Sequence, residues 1–212
     1  MASRLADLLF YAFVEDIPSE KAAIKLFNKV NETREQKLIF NPGFPTITRG
    51  NQKLREKCPA FLNMARPGTN IFALTDLDRI ECAPALIRDW FGIQSDKEIL
   101  LPTEICFRVA VREVESWILA DRIALADFFR ISDINFHQSP DNLEDPKEHL
   151  LNVIRRRTRR RIYRDMLPTE YSHVGPTYNE VLAEFITVNW DPHRASENSA
   201  SLEKTIRALE NF

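Results

Sequence analysis

Continuous apolar runs constrain the fold of this chain more than any other feature. Leu8–Val14 and residues 70–75 and 105–111 are apolar over nearly their whole length, which is typical of strands buried on both faces of a sheet. The segments between them show helical spacing, as in residues 23–30, where apolar side chains recur at i, i+3, i+4 and i+7. This alternation predicts an α/β fold with a mostly parallel sheet flanked by helices.

Weaker patterns predict the rest of the organisation. A short second strand is predicted at residues 37–40, and a helix from residue 113 to about 129 follows the fourth strand. Further helices are predicted at residues 147 to about 164, 177–188 and 201–211, after a loop with two prolines. We therefore predict a core domain over residues 1–130 and a mainly helical C-terminal extension, residues 131–212, packed on that core.

Composition excludes several classes of protein. The formal net charge is -2 over 212 residues, so nucleic-acid binding would need a local concentration of positive charge. The chain has no Walker A, GxGxxG or GxSxG sequence, which argues against a P-loop ATPase and a serine hydrolase of the elbow type. No apolar run approaches the roughly 20 residues of a transmembrane helix. We expect a soluble, cytoplasmic protein without a membrane partner.

Acidic residues end two of the predicted strands. Glu15 directly follows the first strand, and Asp76 and Asp78 follow the third. The carboxyl ends of parallel strands meet at one edge of a sheet, and an extended Asp-x-Asp segment points both side chains to one face. Carboxylates are the ligands that Mg²⁺ and Mn²⁺ prefer, so the pattern predicts a metal site for phosphodiester chemistry. Alternatively, Asp78 caps a helix that starts near residue 79.

The segments that carry these acids resemble a known pattern. VEDIPSEKAAIKLF and IFALTDLDR are similar to the Toprim pattern of topoisomerases, primases and overcoming-lysogenisation-defect nucleases. RVAVREVESWILAD resembles a motif of small bacterial Toprim-like proteins that are often encoded beside an ABC-type ATPase. The resemblance implies a Toprim-like core in which Glu15 is the strand-one acid and Asp76 and Asp78 are the strand-three pair. Asp16 stands where many Toprim domains have glycine, so it either alters this loop or adds a ligand.

Further candidates follow the fourth strand. Glu113 and Glu115 lie at the same predicted edge, and we choose Glu115 as an additional metal ligand or acid–base residue because it belongs to the resembling motif. The alternative is a solvated acid that the helix N-terminus favours. Arg112 either steadies a phosphate or pairs with a local acid.

The densest positive charge lies at residues 155–164. On a continuous helix, Arg155 with Arg159 and Arg156 with Arg160 would form neighbouring pairs four residues apart, which could follow a phosphate backbone. The alternative is a charged surface helix that docks on an acidic part of the same protein or on a partner.

Three functions compete. The leading one is a Mg²⁺- or Mn²⁺-dependent nuclease acting on DNA or RNA, and the resemblance implies an anti-phage defence effector that works with an ATPase partner. The second is a catalytically silent module that docks on that ATPase. The third, a receiver-type phosphoacceptor, needs a lysine after a later strand, and the sequence offers none there.

Overall fold

A computed structural model describes residues 6–132, 136, 138–158 and 160–212. It confirms the predicted fold class, because a parallel sheet of 5 strands is flanked by helices. The strands are β1 Leu8–Val14, β2 Leu38–Phe40, β3 Thr46–Ile47, β4 Asn70–Asp76 and β5 Ile105–Ala110.

The strand order places β1 and β4 in the middle of the sheet. The order is β2-β1-β4-β5, and β3 also pairs with β1. Val14 of β1 lies opposite Leu74 of β4 in a parallel ladder. The residues that follow Val14 and Leu74 are therefore neighbours at the carboxyl edge. The two-residue strand β3 pairs Ile47 with Val14 and so borders the same edge.

Helices make up most of the remaining described chain. They are α1 Ile17–Asn31, α2 Asn51–Arg55, α3 Cys58–Met64, α4 Ala83–Phe91, α5 Val114–Ala120, α6 Arg122–Phe129, α7 Pro146–Arg157, α8 Arg161–Arg164, α9 Tyr178–Val188, α10 Pro192–Ser196 and α11 Ala200–Glu210. A 3₁₀ turn covers Pro140–Asn142. Among the described residues beyond Ala110 there is no strand, which agrees with the predicted helical character of this part.

Two predicted helices are interrupted. The helix predicted over residues 113–129 is two helices, because Asp121 has a non-helical backbone (φ -89°, ψ 60°). The helix predicted over residues 147–164 stops at Thr158, which is extended (φ -94°, ψ 140°) and buried. Both breaks lie at side chains withdrawn from water, so tertiary packing overrides local helical preference there.

The first helix is capped by the residue that follows Glu15. Asp16 is the N-cap of α1, and its carboxylate accepts a hydrogen bond from the backbone N–H of Ser19 at 2.9 Å. The Ser19 hydroxyl also donates to Asp16, at 2.6 Å. Asp16 has an extended backbone with a negative φ of -146°, so this position does not need the conformational freedom of glycine.

The described chain divides into two compact units. The first holds the residues up to Val109 together with Thr205–Phe212, and the second holds Ala110–Lys204. Compactness does not test independent folding, so the domain boundary at residue 130 stays a prediction. Within the described residues, no helix combines the length and apolar character needed to cross a membrane.

Each unit has its own aromatic core. In the first unit, the ring of Phe27 lies 5.2 Å from the rings of both Phe10 and Phe72. In the second unit, Trp117 and Trp190 are fully buried, and the indole of Trp190 donates to the backbone carbonyl of Trp117 at 3.0 Å. These contacts fix α1 on the sheet and hold α5 near the turn before α10.

Candidate functional site

Glu15 is the most firmly positioned acid of the first unit. It directly follows β1, and only 8% of its surface is exposed. Its Oε1 accepts hydrogen bonds from the hydroxyl of Thr75 and from the backbone N–H of Asp76, the latter at 3.0 Å. Its backbone carbonyl accepts from the N–H groups of Arg49 (2.9 Å) and Gly50 (3.3 Å) in the loop after β3. Strand pairing and these four donors fix both its main chain and its carboxylate.

The two aspartates leave β4 differently from the extended geometry considered above. Asp76 is the last residue of the strand, whereas Asp78 has a left-handed backbone with φ 50° and Leu77 between them is buried. Aspartate tolerates this conformation better than most residues. The carboxylate of Asp78 accepts a hydrogen bond from the side-chain amide of Asn51, at 2.8 Å. Helix α4 begins at Ala83 with Cys82 as its N-cap, so Asp78 does not cap it.

The charged neighbours that affect Glu15 are acidic. The pKa of Glu15 is raised from 4.5 to about 7, mainly because the carboxyl is buried. The negative charges of Asp78 and Asp16 add to this rise, whereas the hydrogen bonds from Thr75 and Asp76 oppose it. Glu15, Asp16 and Asp78 form no ion pair with any residue that the structure describes. The structure thus brings Glu15, Asp76 and Asp78 into one electronegative region at the edge of the sheet.

The donor chemistry of this region suits a hard divalent cation, but its arrangement is not a finished site. Glu15 Oε2 makes no hydrogen bond or ion pair with described residues, and carboxylate oxygens are the ligands of Mg²⁺ and Mn²⁺. However, no group of three or more His, Cys, Asp or Glu side chains among the described residues is assembled to hold a metal ion. The residues are therefore of the chemical type that binds this cation, but their side chains do not converge on one point.

Glu113 and Glu115 belong to the second unit, where they share one lysine. Glu115 is 2% exposed, and its Oε1 lies 2.6 Å from the donating hydroxyl of Tyr178 and 3.4 Å from Lys147 Nζ. Glu113 accepts from the backbone N–H of Lys147 at 3.1 Å, and its other oxygen lies 3.8 Å from Lys147 Nζ. Glu115 is thus buried and hydrogen-bonded, unlike the solvated acid of the alternative above. Its role as a metal ligand or acid–base residue stays a prediction.

Electrostatics distinguish the two glutamates of this acid pair. Burial and the neighbouring charge of Glu115 raise the pKa of Glu113 to about 7, while the ammonium of Lys147 opposes the shift. A single cation therefore faces two carboxylates, and the structure relieves the excess charge by favouring a proton on Glu113. The sequence placed Lys147 near a helix start, but nothing in residue spacing indicated Tyr178.

The motif RVAVREVESWILAD contributes mainly buried contacts. The backbone N–H of Arg112 donates to the hydroxyl of Ser116 at 3.0 Å. Asp121, which is 1% exposed, accepts two 2.6 Å hydrogen bonds from the guanidinium of Arg194. This pair raises the pKa of Arg194, and it ties the end of α5 to α10. The phosphate-binding role of Arg112 stays a prediction.

The arginine-rich segment does not form one helix. Arg155, Arg156 and Arg157 are exposed in the last turn of α7, and Arg160 is exposed just before α8. Because the chain is extended at Thr158, the predicted helical pair of Arg156 with Arg160 is wrong as a geometry. Arg159, and with it the predicted pair of Arg155 with Arg159, lies outside the described residues. The segment remains strongly basic, and nucleic-acid contact stays a prediction.

Comparisons with known proteins leave the family open: no protein-family model, no curated protein and no solved structure matches this chain.

Proposed function

We propose that this chain is a Mg²⁺- or Mn²⁺-dependent nuclease that hydrolyses phosphodiester bonds of DNA or RNA. The observation that carries the proposal is the state of Glu15. It is a buried carboxylate held by donors from β4, its pKa is raised to about 7, and the charged neighbours that raise this pKa are acids. Perturbed acids at the carboxyl edge of an α/β sheet are functional-site candidates.

In this proposal the protein residues supply position and charge. Glu15 is immobilised by Thr75 and the Asp76 N–H, and Asp76 and Asp78 add carboxylate oxygens from the end of β4. A divalent ion, when bound, polarises a phosphoryl oxygen and lowers the pKa of a bound water. Glu15 would lose its proton when such an ion binds, because its pKa lies near neutrality.

Other residues would serve the substrate. The exposed arginines at the end of α7 and before α8 would contact the nucleic-acid backbone, and Arg112 and Glu115 keep their predicted roles as a phosphate contact and an assisting acid. The resemblance to Toprim-like proteins adds a context of anti-phage defence and an ABC-type ATPase as partner, and we retain the expected cytoplasmic location.

A catalytically silent binding module is the second candidate. The observation that favours it is the lack, among the described residues, of three metal-ligating side chains that converge. In that case the acids of the first unit serve electrostatic docking, and the arginine-rich segment contacts the ATPase partner.

Cleavage assays separate the two candidates. The full-length protein is incubated with supercoiled plasmid and with single-stranded RNA in Mn²⁺, Mg²⁺ or EDTA, alone and with an ABC-type ATPase of the proposed kind. We expect metal-dependent cleavage that Asp76→Asn reduces at least 100-fold, because one ligand is neutralised without a change of shape.

The matched control is Asp96→Asn, which neutralises an exposed aspartate of the same unit that forms a 3.9 Å ion pair with its neighbour Lys97. It should cleave like the wild type. An inactive wild type under all conditions, or equal activity of the Asp76 variant, would contradict the nuclease and favour the docking module.

A further inference from the structure

One face of α7 forms a small cavity in the second unit. The cavity has a volume of about 210 Å³, and its lining residues are His149, Asn152, Val153, Arg156 and Arg157. They are spaced three or four residues apart along the helix, so they form one continuous stripe. Val153 is buried and supplies the apolar part of the lining, whereas the other four side chains are polar or basic.

The polar lining offers donors for an anion. Arg156 and Arg157 are exposed, and neither side chain forms an ion pair or hydrogen bond with any residue in the described part of the chain. The amide oxygen of Asn152 accepts a hydrogen bond from Arg155 at 2.5 Å, so the donor half of this amide is what remains for a ligand. The arginines of this cavity thus differ from Arg194, which Asp121 neutralises.

The helix itself opposes an anion here, and the arginines outweigh it. The cavity lies toward the C-terminal end of α7, where the helix dipole is equivalent to about half a negative charge. Arg156 and Arg157 contribute two full positive charges. These two charges exceed the half charge of the helix end, and guanidinium groups match phosphate oxygens in geometry as well as charge.

The volume of the cavity limits the size of the ligand group that it can hold. A cavity of about 210 Å³ is smaller than the roughly 300–1,000 Å³ pockets that enclose whole drug-sized ligands. It can admit one small anionic group and leave the rest of the ligand outside. A terminal phosphate fits this description better than an internal phosphodiester, because it has three unesterified oxygens and between one and two negative charges near pH 7.

We propose that this cavity binds the terminal phosphate of a nucleic-acid strand. Arg156 and Arg157 hold the phosphate oxygens, Asn152 donates a further hydrogen bond, and Arg155 and Arg160 lie beside the cavity in sequence and contact the following backbone phosphates. The choice of a nucleic acid as the ligand rests on the proposed function. Phosphate binding in the cavity does not require hydrolysis at Glu15, so it can be measured without a metal ion. It makes the end of a strand, rather than any internal sequence, the feature that the second unit recognises.

Fluorescence anisotropy tests the proposal directly. Internally labelled 12-nucleotide DNA and RNA strands carry a 5′-phosphate, a 3′-phosphate or hydroxyl groups at both ends, and the full-length protein is titrated in EDTA. We expect one phosphorylated end to increase affinity about tenfold over the hydroxyl-ended strand, as for one added set of charge-assisted hydrogen bonds. Inorganic phosphate at millimolar concentration should remove this preference.

Two double variants with equal charge provide the control. Arg156→Gln with Arg157→Gln should abolish the preference for a phosphorylated end. Arg161→Gln with Arg164→Gln, at exposed positions outside the cavity, should lower the affinity for all strands alike and keep the ratio between the affinities for phosphorylated and hydroxyl-ended strands. Thermal unfolding verifies that both variants fold. Equal affinity of the wild type for all strands, or loss of the preference in both variants, would contradict the binding of a terminal phosphate in this cavity. If inorganic phosphate displaced all strands equally and the wild type showed no preference between them, nucleic acid would be excluded as the ligand of the cavity.

Discussion

Each of the two acidic regions of this protein buries a carboxylate, but the charged neighbours of that carboxylate differ between the regions. Around Glu113 and Glu115, the fold supplies its own cation, because Lys147 Nζ lies within 4 Å of both carboxylates. Around Glu15, the charged neighbours that raise its pKa are Asp78 and Asp16, and neither they nor Glu15 form an ion pair with described residues. Both regions hold an acid whose pKa is raised to about 7.

This difference separates buried acids that have an internal cation from a buried acid that lies among other acids. At the start of α5, Glu113 and Glu115 contact Lys147 of α7, and Glu115 accepts from Tyr178 of α9, so these contacts can stabilise the packing of the three helices. A buried carboxylate held among other acids is costly to the apo protein, and proteins accept such costs at sites that bind something. We therefore expect Lys147→Met and Glu15→Gln to change stability in opposite directions.

The largest effect should follow Lys147→Met, which removes the cation of the second region. Two carboxylates then share a site with no opposing charge, so the free energy of unfolding should fall by about 3 kcal/mol, at the low end for a broken buried pair, because 31% of the lysine side chain is exposed. Urea unfolding at pH 8 measures the change. Lys97→Met, at an exposed lysine of the other unit, is the control, and equal effects of the two substitutions would show that Lys147 is not the needed cation.

Glu15→Gln should have the opposite sign. Glutamine still offers an acceptor oxygen to Thr75 and to the Asp76 N–H, but it removes a charge that burial disfavours. Without metal at pH 8 we expect the free energy of unfolding to rise on the order of 2 kcal/mol, less than the full pKa shift implies, while cleavage is lost. A destabilised variant would contradict the account.

The pH dependence of this gain follows from linkage. A carboxyl with a pKa of about 7 when folded and 4.5 when unfolded holds its proton more tightly in the folded state, so its stabilising contribution is present below pH 4.5 and is lost as the pH rises to about 7. The advantage of Glu15→Gln over the wild type should therefore grow between pH 5 and pH 8. A constant difference across this range would mean that Glu15 is not the titrating group, and Glu98→Gln, at an exposed acid, should show no trend.

Tyr178→Phe should produce a smaller loss in the second region. It removes one 2.6 Å hydrogen bond to the buried carboxylate of Glu115 and leaves Lys147 in place. We expect the free energy of unfolding to decrease by about 1.5 kcal/mol, as for a hydrogen bond to a charged group. Thermal unfolding beside Tyr171→Phe, at a tyrosine that is 93% exposed, checks this value. No loss beyond that control would show that the phenol is dispensable.

The smallest effect concerns Asp16. Asp16→Ala removes the cap of α1 and should cost about 1 kcal/mol, whereas Asp16→Asn, which can still accept from the Ser19 N–H, should cost a few tenths. Equal and larger losses for both would indicate that the charge of Asp16 matters more than its cap. Circular dichroism during urea unfolding measures both variants.

The sequence predicts the sheet well because burial on both faces leaves a local signature. Leu8–Val14 and Asn70–Asp76 lie where their apolar runs predict, and the edge rule for parallel strands correctly placed Glu15 next to Asp76. The two-residue strand Thr46–Ile47 has no such signature, because its place depends on pairing with β1. The break at Thr158 likewise reflects burial, which helical periodicity cannot report.

Side-chain partnerships were much less predictable. Asn51 and Asp78 are 27 residues apart and Tyr178 and Glu115 are 63 apart, so no spacing rule in a single sequence connects them. The left-handed backbone of Asp78 was also hidden, although it decides how the Asp-x-Asp pair leaves the strand. The residues of the candidate site were thus predictable as neighbours, whereas their conformations and hydrogen bonds were not.

Metal binding to the Glu15 region tests the central claim most directly. Mn²⁺ is titrated into the full-length protein at pH 7.5 by calorimetry in two buffers of different ionisation enthalpy, with Glu15→Gln and, as a control at an exposed acid of the same unit, Glu98→Gln in parallel. We predict saturable binding with proton release by the wild type and by Glu98→Gln, and none by Glu15→Gln. No saturable binding to the wild type, or unchanged binding to Glu15→Gln, would contradict the claim that the first acidic region is a cation site.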